Sequence, residues 1–168
     1  MLTDMDILAV RFPGAQKRWI PDAERQGEAL PIDPRLADDD ESMFMIIGEV
    51  KEGKAGFNDM AYSEQVLETA IRRFGCCTGD IPGTVRSLLS TGSADTRVGT
   101  GMPFKILMLV FGTSEDGPRR RHEVISLGHV VTFLKHYLSA YRDVLLRVEF
   151  KDESLRLMAL LVKLGVEL

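Results

Sequence analysis

The run Phe104-Lys-Ile-Leu-Met-Leu-Val-Phe111 constrains the fold more than any other stretch of this chain. It is almost continuously apolar, the pattern of a strand covered on both faces. A second run, Met43-Phe-Met-Ile-Ile-Gly-Glu-Val-Lys51, is of the same kind but ends with one carboxylate and one ammonium two residues apart. Successive strand side chains point to opposite faces, so Glu49 and Lys51 leave such a strand on the same side. Buried strands of this type need layers to cover them, and the rest of the chain supplies candidates.

Asp6-Ile-Leu-Ala-Val-Arg-Phe12 reads as a short strand stopped by Pro13-Gly14. From Ala15 to Ser42 the chain is polar, with prolines at 21, 31 and 34 and the acidic run Asp38-Asp-Asp-Glu-Ser42. It reads as a long connection with a helical turn near Ala23 to Leu30. Ser63 to Phe74 carries Val66, Leu67, Ala70, Ile71 and Phe74 at helical spacing, with Ser63 placed as N-cap and Gly75 as stop. A second helix is expected from Ile81 to Leu89, opened by Asp80 and Pro82. The Gly/Ser/Thr-rich stretch 90–101 carries no periodicity and reads as flexible loop. Glu123 to Leu127 is a weaker strand, Gly128 to Leu146 an amphipathic helix, and Ser154 to Leu164 a final apolar-striped helix. This order implies an α/β (α+β) fold, a mixed central β-sheet flanked by helices.

With 168 residues and 45% hydrophobic content, the chain is sized for one globular domain spanning 1–168. A net charge of −4 gives no general affinity for polyanions, so nucleic-acid binding would need a local basic surface. The two cysteines are adjacent, Cys76-Cys77, which suits neither a disulfide framework nor a zinc site and points to a reducing setting. No apolar run approaches the roughly 20 residues of a membrane span, and no basic-then-apolar leader opens the chain. The expectation is a cytoplasmic protein with no membrane partner.

The Glu-x-Lys spacing occurs three times, at Glu49-Val-Lys51, Glu52-Gly-Lys54 and Glu149-Phe-Lys151. Only the first closes a buried-strand pattern and precedes a helix and another strand. One carboxylate seldom holds Mg²⁺ without a second or a phosphate alongside. Asp22 and Asp33 sit in polar loop beside prolines, whereas Asp6 opens a strand. Antiparallel pairing of that strand with residues 43–51 would bring Asp6 near Glu49. The competing reading of Asp6 is a strand-start carboxylate bonded to a nearby backbone amide. For Glu49 and Lys51 it is a salt bridge at an exposed strand end.

Asp6-Ile-Leu-Ala-Val-Arg11, then Ile46-Ile-Gly-Glu-Val-Lys51, a helix, and the strand Phe104 to Phe111 together resemble the restriction-endonuclease-like PD-(D/E)xK nuclease superfamily. That superfamily's core is a helix, a three-stranded meander, a helix and a further strand, with Asp on the second strand and (Asp/Glu)-x-Lys on the third. The resemblance covers Asp6 to Phe111; Met5 stands where the motif has proline, and the core's first helix and first strand have no counterpart ahead of Asp6. It implies Asp6, Glu49 and Lys51 as catalytic residues, with Asp6 and Glu49 holding Mg²⁺ (or Mn²⁺). The implied chemistry is metal-assisted phosphodiester hydrolysis, on DNA in preference to RNA, with Lys51 in an electrostatic role rather than as general base. The alternatives are a catalytically inactive nuclease-like binding or assembly module and an unrelated α/β binding domain.

Lys54, Arg72, Arg119, Arg120 and Arg121 are candidates for contact with a nucleic-acid backbone, against the reading of charge runs as solvated surface. His129 and His136 lie seven apart on one predicted helix without further ligands at metal spacing, and read as structural. Cutting both strands of a duplex usually takes two active sites, which a homodimer would provide.

Overall fold

The structure is a computed structural model that describes residues 5–15, 32–36, 41–52, 56–57, 62–75, 77, 79–113, 122–142 and 151–165. Within them lie five strands and four helices: β1 (Ile7–Arg11), β2 (Met43–Lys51), α1 (Glu64–Phe74), α2 (Ile81–Thr91), β3 (Ser93–Arg97), β4 (Pro103–Gly112), β5 (Glu123–Ser126), α3 (Leu127–Ala140) and α4 (Glu153–Lys163). The fold is α/β with a mixed sheet, as the strand patterns imply. The chain divides into two compact units, Met1–Ser126 and Leu127–Leu168.

The first unit holds the sheet with α1 and α2. Its strand order is β1-β2-β4-β3, with β5 also on β4. β1 runs antiparallel to β2, β2 parallel to β4, and β4 pairs antiparallel with β3 and parallel with β5. β3 takes Pro103 to Leu107 and β5 takes Leu109 to Gly112, so the two short strands share the edge of β4 that β2 leaves open.

Alternation along the strands builds the core. Met43, Met45 and Ile47 on β2 and Phe104, Ile106 and Met108 on β4 are cross-strand partners facing one way. They join Leu67 and Ile71 of α1 and Ile81, Val85 and Leu88 of α2 in one apolar cluster. On the opposite face of β4, Leu109 is also fully buried, which accounts for the unbroken apolar run. Local signals end the helices as expected. Ser63 accepts from Val66 N–H, and Gly75 turns the chain through a left-handed conformation at φ 61°. Asp80 caps α2 by accepting from Gly83 N–H. Cys77 packs in the core, whereas Cys76 and the expected helical turn at 23–30 lie outside the described residues.

Leu67 is fully buried in this cluster. Leu67→Ala keeps helix propensity while opening a cavity, and is expected to lower unfolding stability by about 2–5 kcal/mol. Urea unfolding of the two proteins measures the difference.

The stretch 90–101 differs from the loop reading, because β3 lies inside it. Only Ala94 of β3 is buried, opposite Ile106, so the strand has no apolar alternation to reveal it. Pairing with β4 holds it: the connection closes through Val98 N–H to Met102 O at 3.0 Å and Gly101 N–H to Val98 O at 2.8 Å. Part of the long polar connection is docked as well. Asp33 Oδ1 accepts from Arg35 N–H, and Arg35 reaches Glu123 Oε1 at 3.1 Å and Val124 O at 2.7 Å at the start of β5.

In the second unit α3 packs against α4, and Arg142 Nη2 donates to Lys163 O at 2.9 Å. Asp152 caps α4 by accepting from Leu155 N–H. No helix among the described residues is long and apolar enough to cross a membrane.

Candidate active site

β2 and β4 run parallel and end together, Lys51 opposite Gly112. Carboxyl ends of parallel strands are where α/β sheets commonly place ligands. Glu49 sits in the last turn of this pattern. Its side chain continues the face of Met45 and Ile47, so a carboxylate occupies a position the strand period assigns to the core. The Glu49 side chain is only 2% exposed.

Lys51, two residues on, returns to that face. Its Nζ lies 2.9 Å from Glu49 Oε2, and its side chain is 33% exposed. The salt bridge of the competing reading is therefore present, graded from a buried anion to a cation that reaches water rather than exposed at both ends. Glu49 needs such a partner, because an uncompensated buried carboxylate costs several kcal/mol.

Asp6 arrives through the β1/β2 register. Ile7 pairs with Gly48, so the next position outward sets Asp6 opposite Glu49, on the same face of the sheet. Gly48 permits this approach: a Cβ there would sit 3.2 Å from Ile7 Cβ. Asp6 Oδ2 accepts from Val50 N–H at 2.8 Å. By backbone geometry this holds the Asp6 carboxylate within about 5 Å of the Glu49 Cα. Asp6 is exposed, so the three groups span from core to solvent.

The arrangement joins Asp6, Glu49 and Lys51, and it also realises the backbone-amide reading of Asp6. That amide bond fixes the carboxylate beside β2. Arg72 stands on the exposed face of α1 with its guanidinium on Glu68 Oε1, at 2.6 Å from Nη2 and 2.9 Å from Nε. That engagement competes with a role toward phosphate. Lys54, Arg119, Arg120 and Arg121 lie outside the described residues, as does Asp22.

Among the described residues no group of three or more His, Cys, Asp or Glu side chains is disposed to hold a metal ion. Asp6, exposed, and Glu49, buried, are two hard carboxylates, and Mg²⁺ usually takes one or two from a protein and completes its octahedron with water and substrate phosphate.

A second polar cluster escaped the sequence reading. Tyr62 OH lies 3.3 Å from His122 Nδ1, and Phe57 packs edge-on to both rings, with centroids 5.6 Å from Tyr62 and 5.0 Å from His122. It ties the residue ahead of the α1 cap to the residue ahead of β5. The only sequence signal was His122 at the end of the basic run that begins at Arg119, and a pairing 60 residues long leaves no local pattern.

Comparison with known proteins adds no relative: no protein-family model, no curated protein and no solved structure matches the chain.

Proposed function

We propose that the chain is a divalent-metal-dependent nuclease of the restriction-endonuclease-like class, hydrolysing phosphodiester bonds of DNA in preference to RNA. The observation that carries this reading is the meeting of Asp6, Glu49 and Lys51 at the carboxyl edge of β2, with Glu49 buried and ion-paired. The order of β1 antiparallel to β2, then helices, then β4 parallel to β2 supports it, being compatible with the superfamily core that the motifs resemble.

When bound, Mg²⁺ or Mn²⁺ supplies an activated water and neutralises charge on the scissile phosphate. Asp6 and Glu49 would hold it. Val50 N–H keeps the Asp6 carboxylate oriented, and the close β1/β2 approach at Gly48 keeps Asp6 opposite Glu49. Lys51 offers a positive charge that can leave Glu49 for the pentavalent phosphate, stabilising charge as it develops. The same reading places the protein in the cytoplasm and gives a homodimer as the assembly suited to cutting both strands of a duplex.

The test is cleavage of plasmid and oligonucleotide substrates with Mg²⁺ or Mn²⁺ by wild type, Glu49→Gln and Lys51→Ala. Loss in both variants supports the mechanism, and unchanged cleavage rejects it. One observation favours a second reading, a non-catalytic nuclease-like module: the Asp6 carboxylate already serves Val50 N–H, and Lys51 already neutralises Glu49. Folded wild type that cleaves nothing with either metal would favour that reading.

Asp6→Asn separates the two roles of Asp6. The amide oxygen can still accept from Val50 N–H, while the charge that attracts a metal is gone. Stability within about 0.5 kcal/mol of wild type, with cleavage reduced about a hundredfold, is the expected outcome. Equal cleavage would leave Asp6 as a strand-end residue only.

A further inference from the structure

Glu49 already holds a cation. Lys51 Nζ lies 2.9 Å from Glu49 Oε2, with the Glu49 side chain 2% exposed and that of Lys51 33%. A carboxylate so buried stays charged at tolerable cost only while a positive group stands on it. Arg35 and Arg72 are engaged with Glu123 and Glu68, whereas Lys51 is brought back to Glu49 by the period of its own strand.

A divalent ion held by Asp6 and Glu49 makes a claim on the same carboxylate. Asp6 is exposed, and its Oδ2 accepts from Val50 N–H at 2.8 Å, a neutral donor that leaves the carboxylate its charge. Glu49 differs, because its partner is itself a cation. An ammonium at hydrogen-bond distance and a dication on one carboxylate repel each other, and little water screens them beside the core. Lys51 has a way out, since its ammonium can follow its apolar stem to water. Metal affinity is then scaled by the fraction of chains in which Lys51 has left Glu49. A fraction of about one in ten means binding about tenfold weaker than the two carboxylates alone would give.

We propose that Lys51 is the resident counterion of Glu49 in the metal-free protein and must leave it before Mg²⁺ or Mn²⁺ binds, so that Lys51 sets the metal affinity of the site. By reciprocity, whatever draws Lys51 from Glu49 tightens metal binding by the same factor that the metal favours its release. The proposal rests on the metal reading of Asp6 and Glu49, and not on what the site then cleaves.

The experiment is calorimetric titration of Mg²⁺ and of Mn²⁺ into the full chain without nucleic acid, with circular dichroism to verify folding. Lys51→Met and Lys51→Gln should each bind metal about tenfold or more tighter than wild type. Glutamine keeps a hydrogen-bond donor for Glu49 without the charge, so it serves if the methionine variant folds poorly. Adding Glu49→Gln to either should abolish the gain, which locates it at this carboxylate. Thermal unfolding gives a second reading that tolerates a destabilised variant: metal should raise the midpoint of the Lys51 variants more than that of wild type. Equal affinity in wild type and both Lys51 variants overturns the proposal while leaving the metal site standing. Weaker binding in the variants also overturns it, and would make Lys51 a group that helps to hold the ion. Absence of binding in all of them removes the metal site itself, and the proposal with it.

Discussion

Glu49→Leu is expected to reduce metal-dependent cleavage about a thousandfold or more while leaving the protein as stable as wild type, or more stable. The two halves of this result come from one fact of placement. Glu49 stands on the face of β2 that carries Met45 and Ile47 into the core, beside Val110, which is fully buried. A side chain of leucine's size and polarity is what the strand period calls for there. Holding a carboxylate instead requires desolvation, offset by Lys51 at 2.9 Å. Replacing a buried ion pair by apolar packing is often neutral or stabilising by about 1–4 kcal/mol. Lys51, left without its partner, can turn its ammonium to water along its apolar stem. Thermal unfolding and plasmid cleavage on the same preparation measure both halves. A stable Leu variant that still cleaves would remove Glu49 from the mechanism. A variant destabilised by several kcal/mol would make the pair a structural device.

How far the fold was legible depended on whether a signal was local. α1 and α2 could be read because their caps, Ser63 with Gly75 and Asp80 with its following proline, lie within one turn of the apolar pattern they bound. β2 and β4 could be read because burial on both faces writes itself as an unbroken apolar run. β3 could not, since only Ala94 of it is buried and its backbone partners lie on β4, across a turn. The Arg35 contact to Glu123 and the Tyr62 contact to His122 cross 88 and 60 residues and are written nowhere in local spacing. The site divides in the same way. Glu49 and Lys51 follow from period two along one strand. Asp6 required a guess at pairing, and the β1/β2 register places it opposite Glu49. What spacing could not convey was that Glu49 is buried and Asp6 tied to Val50 N–H, because both depend on how closely two strands approach at Gly48.

Lys51→Met should then do the reverse of Glu49→Leu to stability, although both remove one member of the same pair. Methionine preserves the stem of Lys51 and deletes its charge, leaving the Glu49 carboxylate buried without the ammonium at 2.9 Å. Breaking a fully buried pair from one side costs about 3–5 kcal/mol. Lys51 is 33% exposed, so water already shares its charge and the expected loss is smaller, about 1–3 kcal/mol. The double variant, Glu49→Leu with Lys51→Met, removes both charges and should regain most of that loss, giving a favourable coupling between the sites in a double-mutant cycle. Cleavage should be lost in all three, so activity and stability separate across the set. Denaturant unfolding of the four proteins decides it. Equal losses from the two single variants with no recovery in the double would mean that Glu49 does not rely on Lys51, and the charge available to a phosphate at this strand end would have to come from another residue.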